Sequence, residues 1–168
     1  MKLAIIGGGA MGEAIIASVL KAGVATPDTI GVADVSTARL AYLESTYGVA
    51  TTTDNAASAT DRDLVVLAIK PQELDKVAPA LAASLGRAVP VSIMAGVTIE
   101  RLQHGLGTEA VVRSMPNTPA QLGQVTSPGG TTAEALRALE AGGLRTAVLE
   151  AVIACYNKSR ALGGGTAR

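Results

Sequence analysis

Aromatic residues are nearly missing from this chain of 168 residues: Trp and Phe are absent, and Tyr42, Tyr47 and Tyr156 are the only three aromatics. A core must therefore come from Ala, Val, Leu and Ile, which suits the apolar strands of a parallel sheet covered by Ala-rich helices. Cysteine is reduced to Cys155, which excludes an internal disulfide and a cysteine-based zinc site and suits a reducing, cytoplasmic setting. No excess of charge exists in either sign, with 14 basic and 14 acidic residues, so bulk electrostatics favours neither nucleic acid nor an anionic membrane. Apolar runs fall well short of the ~20 residues of a membrane span. The run that opens the chain stops at Gly7, too early for a signal-peptide core, and reads as a strand. His104 is the only histidine and reads as a surface residue; Cys155 reads as part of an apolar helical stripe. No metal is expected, and a small molecule is the default ligand.

What is present is an alternation. Short apolar runs at 2–6, 30–33, 64–69, 89–93 and 110–113 are separated by helix-like segments at 10–22, 36–47, 73–85 and 98–105. The strands show little polar alternation, so both of their faces should be covered. The fold class this predicts is α/β, a Rossmann-like, doubly wound, mostly parallel sheet through about residue 115, followed by a short C-terminal helical segment. After Gly130 the pattern turns wholly helical. Thr131 and Glu134 suit a capping box, Gly142 and Gly143 break the run, and Leu144, Val148, Val152 and Cys155 continue a stripe at helical spacing. The closing GGGTAR reads as a frayed tail.

Three features carry candidate chemistry. GGGAMG places Gly7, Gly9 and Gly12 in the G-x-G-x-x-G spacing, after a strand and at the start of a helix, where backbone N–H groups and the helix dipole suit a pyrophosphate. A tight turn without a ligand uses the same residues. Asp34 ends the second strand about 20 residues further on, where a carboxylate accepts from ribose hydroxyls and repels a 2′-phosphate. Asp34 also suits a helix N-terminus ahead of Ser36, and Arg39, one turn into that helix, is placed to reach a phosphate, so cofactor choice stays open. Finally, LVVLAIKPQ is a strand that ends in Lys-Pro, and MAGV and MPNTP each follow a strand, which puts Ala68, Lys70, Pro71, Ala95, Gly96 and Asn117 at the carboxyl edge of the sheet. A plain loop start explains Lys70-Pro71 equally well.

Taken in order, GGGAMG, AIKPQ, MAGVTIERL, VVRSMPNTPA and VTSPGGTTAEALRALEAGGLRTAVLEAV resemble the pyrroline-5-carboxylate reductases. The resemblance implies reduction of 1-pyrroline-5-carboxylate to L-proline by NAD(P)H. It puts Gly7, Gly9, Ala10, Met11 and Gly12 on the pyrophosphate, Asn55 at the adenosine end, and Ala68, Lys70, Pro71, Ala95, Gly96 and Asn117 on the nicotinamide side. Gly129, Gly130 and Thr131 would hold the substrate carboxylate, with Thr132 on the ring nitrogen and Ser127 in support. Asp34, followed by Val35 where a basic or hydroxyl residue would suit NADP, leans toward NADH.

One departure stands out. Gln121 to Gln124 alone joins MPNTPA to VTSPGGTT, where the resemblance implies roughly a hundred residues of sheet and helical domain. The expected organisation is a nucleotide-binding domain at 1–124 and a substrate loop with terminal helices at 125–168. The apolar stripe of those helices has lost its usual partners, so a homo-oligomer formed through it is expected. A self-associating nucleotide-binding chain without turnover, or a related reductase acting on another imine or carbonyl, remains open beside the reductase reading.

Overall fold

Runs of buried aliphatic residues form strands, and polar or glycine-rich links between them turn the chain into helices. The computed structural model describes residues 1–114. Its elements are β1 (Leu3–Ile6), α1 (Ala10–Lys21), β2 (Ile30–Ala33), α2 (Thr37–Tyr47), β3 (Ala50–Thr52), α3 (Asn55–Ala59), β4 (Leu64–Leu67), α4 (Leu74–Ser84), β5 (Val89–Ser92), α5 (Ile99–Leu106) and β6 (Val112–Arg113). By its internal contacts the chain divides into two units, Met1–Met115 and Pro116–Arg168, and the described residues all belong to the first.

All strand pairings are parallel, in the order β3-β2-β1-β4-β5-β6. The chain builds outward from β1 through β2 to β3, then crosses back to start again at β4. The reversal leaves a switch point between β1 and β4, the place where open parallel sheets take ligands. Every residue of β1, β2, β4 and β5 is buried, as two-sided cover demands. Side chains alternate across the sheet. Ala4, Ile6, Val65 and Leu67 join Leu74, Ala78, Leu81, Leu102 and Leu106 in one core beneath α4 and α5. Ile5 faces the other side, toward α1.

Pro90 sits inside β5 without cost. The amides of Val89 and Ile93 point to β4, so the Pro90 nitrogen faces the β6 side, and β6 pairs only from Val91 onward.

The expected elements occur with ends moved by a few residues: the run at 64–69 is strand only to Leu67, and that at 110–113 only from Val112. Ser36 and Thr98 stand just outside their helices and cap them, accepting from the amides of Arg39 at 3.3 Å and Arg101 at 3.2 Å. Two elements were not expected, β3 and α3. β3 is a three-residue edge strand with no buried position, so it lacks an apolar run. α3 has five residues, started by Asp54, whose carboxylate accepts from the amides of Ala56 and Ala57.

Candidate functional site: the crevice at the carboxyl edge of the sheet

The strands release their loops at one level. Beyond the strand ends, Gly7 N–H still donates to Ala33 O at 2.8 Å, Asp34 N–H to Thr52 O at 3.2 Å, Ala68 N–H to Ile6 O at 2.8 Å and Ile93 N–H to Leu67 O at 3.2 Å. Gly7, Asp34 and Ala68 thus stand side by side at the switch point, and the loop after β5 leaves from the next strand along.

Within the glycine loop each glycine has its own reason. Gly7 has φ +103°, and a Cβ there would lie 2.6 Å from Ala68 O, so the turn out of β1 and its contact with the β4 end both exclude a side chain. A Cβ on Gly12 would lie 2.0 Å from Gly7 O, which fixes the close approach of α1 to the sheet. Gly9 is different. Its φ of −62° suits any residue, and a Cβ there would meet none of the described residues within 4 Å. Packing among the described residues explains Gly7 and Gly12; at Gly9 it leaves open space of the kind a phosphate needs to reach the backbone. No side chain caps α1, so the amides of its first turn, at Ala10, Met11 and Gly12, are oriented toward that space with the positive end of the helix dipole.

Beyond β2 the groups are tied into a network. Asp34 accepts from the amide of Gly8 at 2.7 Å with one carboxylate oxygen and from the amide of Ser36 at 2.9 Å with the other. The Arg39 guanidinium is turned back onto the loop: Nε donates to Gly8 O at 2.5 Å, and a terminal nitrogen pairs with Glu13 and lies 3.5 Å from Gly9 O. It also stands over the Tyr42 ring, 4.9 Å from its centroid. Tyr42 and Tyr47 each donate to the other Glu13 oxygen at 3.0 Å. Burial raises the Glu13 carboxyl, yet the hydrogen bonds from Arg39, Tyr47 and Tyr42, with the Arg39 charge, outweigh it, so the group titrates below its ordinary value of 4.5. Burial first, and then Glu13, push the Tyr47 hydroxyl up.

The other side of the crevice is bare. Ala68 is half-buried, and the exposed Lys70 begins the turn Pro71–Glu73 that stops β4 from continuing. Ala95 and Gly96 are exposed. Gly96 has φ +71°, and it lines an open pocket of about 380 Å³ with Val97, Thr98, Ile99, Glu100 and Arg113. Asn55 opens α3, one strand beyond Asp34 and away from this side.

The structure therefore gathers Gly7, Gly9, Ala10, Met11, Gly12, Asp34, Ala68, Lys70, Pro71, Ala95 and Gly96 along one edge of the sheet. Asn117, Ser127, Gly129, Gly130, Thr131 and Thr132, with the helices expected after Gly130, lie outside the described residues. Sequence reasoning did not single out Glu13, Tyr42 or Tyr47. The scarcity of aromatics was the available signal, since two of the three tyrosines converge on one carboxylate. Among the described residues no helix is long and apolar enough to cross a membrane.

Comparison with known proteins finds two family matches along the chain. The family described as NADP oxidoreductase, coenzyme F420-dependent, matches residues 2–96. The family described as pyrroline-5-carboxylate reductase dimerisation matches residues 94–162. The chain is 42% identical over 123 residues to the pyrroline-5-carboxylate reductase of Synechocystis sp., covering 73% of this chain and 46% of that protein. It is 38% identical over 144 residues to that of Methanosarcina acetivorans, covering 82% and 53%. The chain thus spans about half the length of these curated relatives. Among solved structures, the Plasmodium falciparum pyrroline carboxylate reductase with NADP bound shares the fold, with a TM-score of 0.61 at 19% identity over 97% of this chain and 98% of that one.

Proposed function

Because the chain belongs to the pyrroline-5-carboxylate reductase family, we propose that it reduces 1-pyrroline-5-carboxylate to L-proline with a nicotinamide dinucleotide. The observation that carries the reading is the clearance above Gly9, at the start of an uncapped helix and beside the switch point of the sheet. A cradle that a Cβ would fill fits a pyrophosphate on the amides of Ala10, Met11 and Gly12. Asp34, already fixed by two amides, keeps lone pairs for ribose hydroxyls. Asn55 belongs to the adenosine end, and Ala68, Lys70, Pro71, Ala95, Gly96 and Asn117 to the nicotinamide side.

When bound, the reduced cofactor supplies the hydride that the imine carbon accepts. The chain's own part is placement and exclusion of water. Gly129, Gly130 and Thr131 offer backbone amides to the substrate carboxylate, Thr132 hydrogen-bonds the ring nitrogen as it becomes an amine, and Ser127 supports it. These five assignments rest on the family resemblance. NADH is favoured over NADPH, an inference supported by Asp34 and by the uncharged Val35, which is 92% exposed at the position where a base would meet a 2′-phosphate. The P. falciparum neighbour carries NADP, so the choice is a property to be measured on this chain. A homo-oligomer formed through the C-terminal helices, supported by the match to the dimerisation family, and a cytoplasmic site, supported by the lone Cys155, complete the reading.

The test is oxidation of NADH, then NADPH, by the purified chain with and without 1-pyrroline-5-carboxylate. Substrate-dependent oxidation with formation of proline is the expected result. Cofactor binding without imine-dependent oxidation, in folded protein, would instead leave a nucleotide-binding chain without turnover. That second reading is favoured by one observation, the four-residue join at Gln121 to Gln124.

A further inference from the structure

The Glu13–Arg39 pair has no part in the glycine-loop motif, yet Arg39 is bonded to Gly8, the residue that also holds Asp34, to which the proposed function gives the adenosine ribose. Arg39 is the only cation between Asp34 and Leu40, so it is the residue of that segment able to meet a 2′-phosphate. Its guanidinium is committed elsewhere. Nε serves Gly8 O, one terminal nitrogen serves Glu13, and the plane lies over Tyr42. The ion pair is largely shielded, with side-chain exposures of 27% for Arg39 and 24% for Glu13, so it is not an ordinary solvated surface pair. Two tyrosine hydroxyls at 3.0 Å hold the Glu13 carboxylate in place and keep it ionised. Among the described residues the local sum of charge is two carboxylates, Asp34 and Glu13, against one guanidinium. A ribose with free hydroxyls gains acceptors there, whereas a 2′-phosphate meets net negative charge and a cation turned the wrong way.

Building on the nicotinamide-cofactor reading above, we propose that Glu13 is a specificity-determining residue: by neutralising Arg39 and holding it against the glycine loop, it makes the site select NADH over NADPH. Tyr42 and Tyr47 are its positioning residues.

The experiment compares direct binding of NADH and NADPH, by calorimetry and by fluorescence of the reduced nicotinamide, to the full chain, to Glu13→Gln and to Glu13→Gln with Arg39→Ala. Glutamine keeps the shape and a hydrogen-bonding partner for the tyrosines while removing the charge. In Glu13→Gln the ratio of the NADPH to the NADH dissociation constant should fall by about tenfold, equivalent to ~1.4 kcal/mol, and removing Arg39 as well should return the ratio toward its starting value. An unchanged ratio, an equal weakening of both cofactors, or a gain that persists without Arg39 would each overturn the inference. Failure of the unsubstituted chain to bind either cofactor would overturn the underlying reading and this inference with it.

Discussion

The two ends of the crevice are built on opposite plans. Toward the adenosine end, Asp34, Arg39, Glu13, Tyr42 and Tyr47 form a closed polar network that grips the glycine loop through Gly8 N–H and Gly8 O. Toward the proposed nicotinamide end, Ala68, Ala95 and Gly96 offer small side chains or none, and Gly96 borders an open pocket shared with Arg113. One end is pre-organised by the chain itself, its groups held in place by one another and by the glycine loop. At the other, clearance is the contribution, which under the proposed function leaves room for the reacting ring and its substrate. Substitutions at the first end should therefore disturb the fold along with binding, and substitutions at the second should disturb reaction alone.

The largest effect that would sharpen this contrast is expected from Ala95→Leu. Ala95 is exposed, so unfolding stability should stay within ~0.5 kcal/mol, while kcat/KM for the imine should fall by about a hundredfold as the reactants are pushed apart. Unaltered kinetics would mean that Ala95 does not border the reacting atoms. Next in size is Asp34→Ala. The buried Gly8 amide loses its acceptor, and urea unfolding should register ~1–3 kcal/mol of destabilisation before any cofactor is added. A variant as stable as its parent would break the comparison, since the adenosine end would not be holding the loop.

The smallest effect concerns pH. Because Glu13 titrates below its ordinary 4.5 in the folded chain, its charge adds stability in full above that value, and the benefit disappears as pH falls through the lower folded value. Melting temperatures of the parent and Glu13→Gln should therefore differ most above pH 4.5 and draw together as the pH falls below it. A gap that is constant with pH would remove the charge from the account.

The sequence carried this molecule's architecture unevenly. The buried quartets of β1, β2, β4 and β5 were legible because an apolar run leaves one interpretation when both faces of a sheet are covered. β3 was hidden because Ala50–Thr52 is short, lies at the sheet edge and buries nothing. The glycine loop and Asp34 could be read because spacing and placement encode them. Arg39 could be read as a cation but not as a paired one. That depends on which way its side chain turns, and the direction is set chiefly by Glu13, which approaches from another helix, α1. Spacing along a chain carries no record of such a convergence.

The central claim is that the crevice beside the glycine loop is shaped for a dinucleotide, and titration of the chain with NADH, set beside Gly9→Ala and Gly12→Ala, tests it most directly. A Cβ at Gly9 meets none of the described residues within 4 Å and one at Gly12 lies 2.0 Å from Gly7 O. Gly9→Ala should therefore melt with the parent yet lose saturable binding, whereas Gly12→Ala should lose folding stability itself. NADH bound by Gly9→Ala as tightly as by the parent would contradict the account, because the open space above Gly9 would then not be where the cofactor lies.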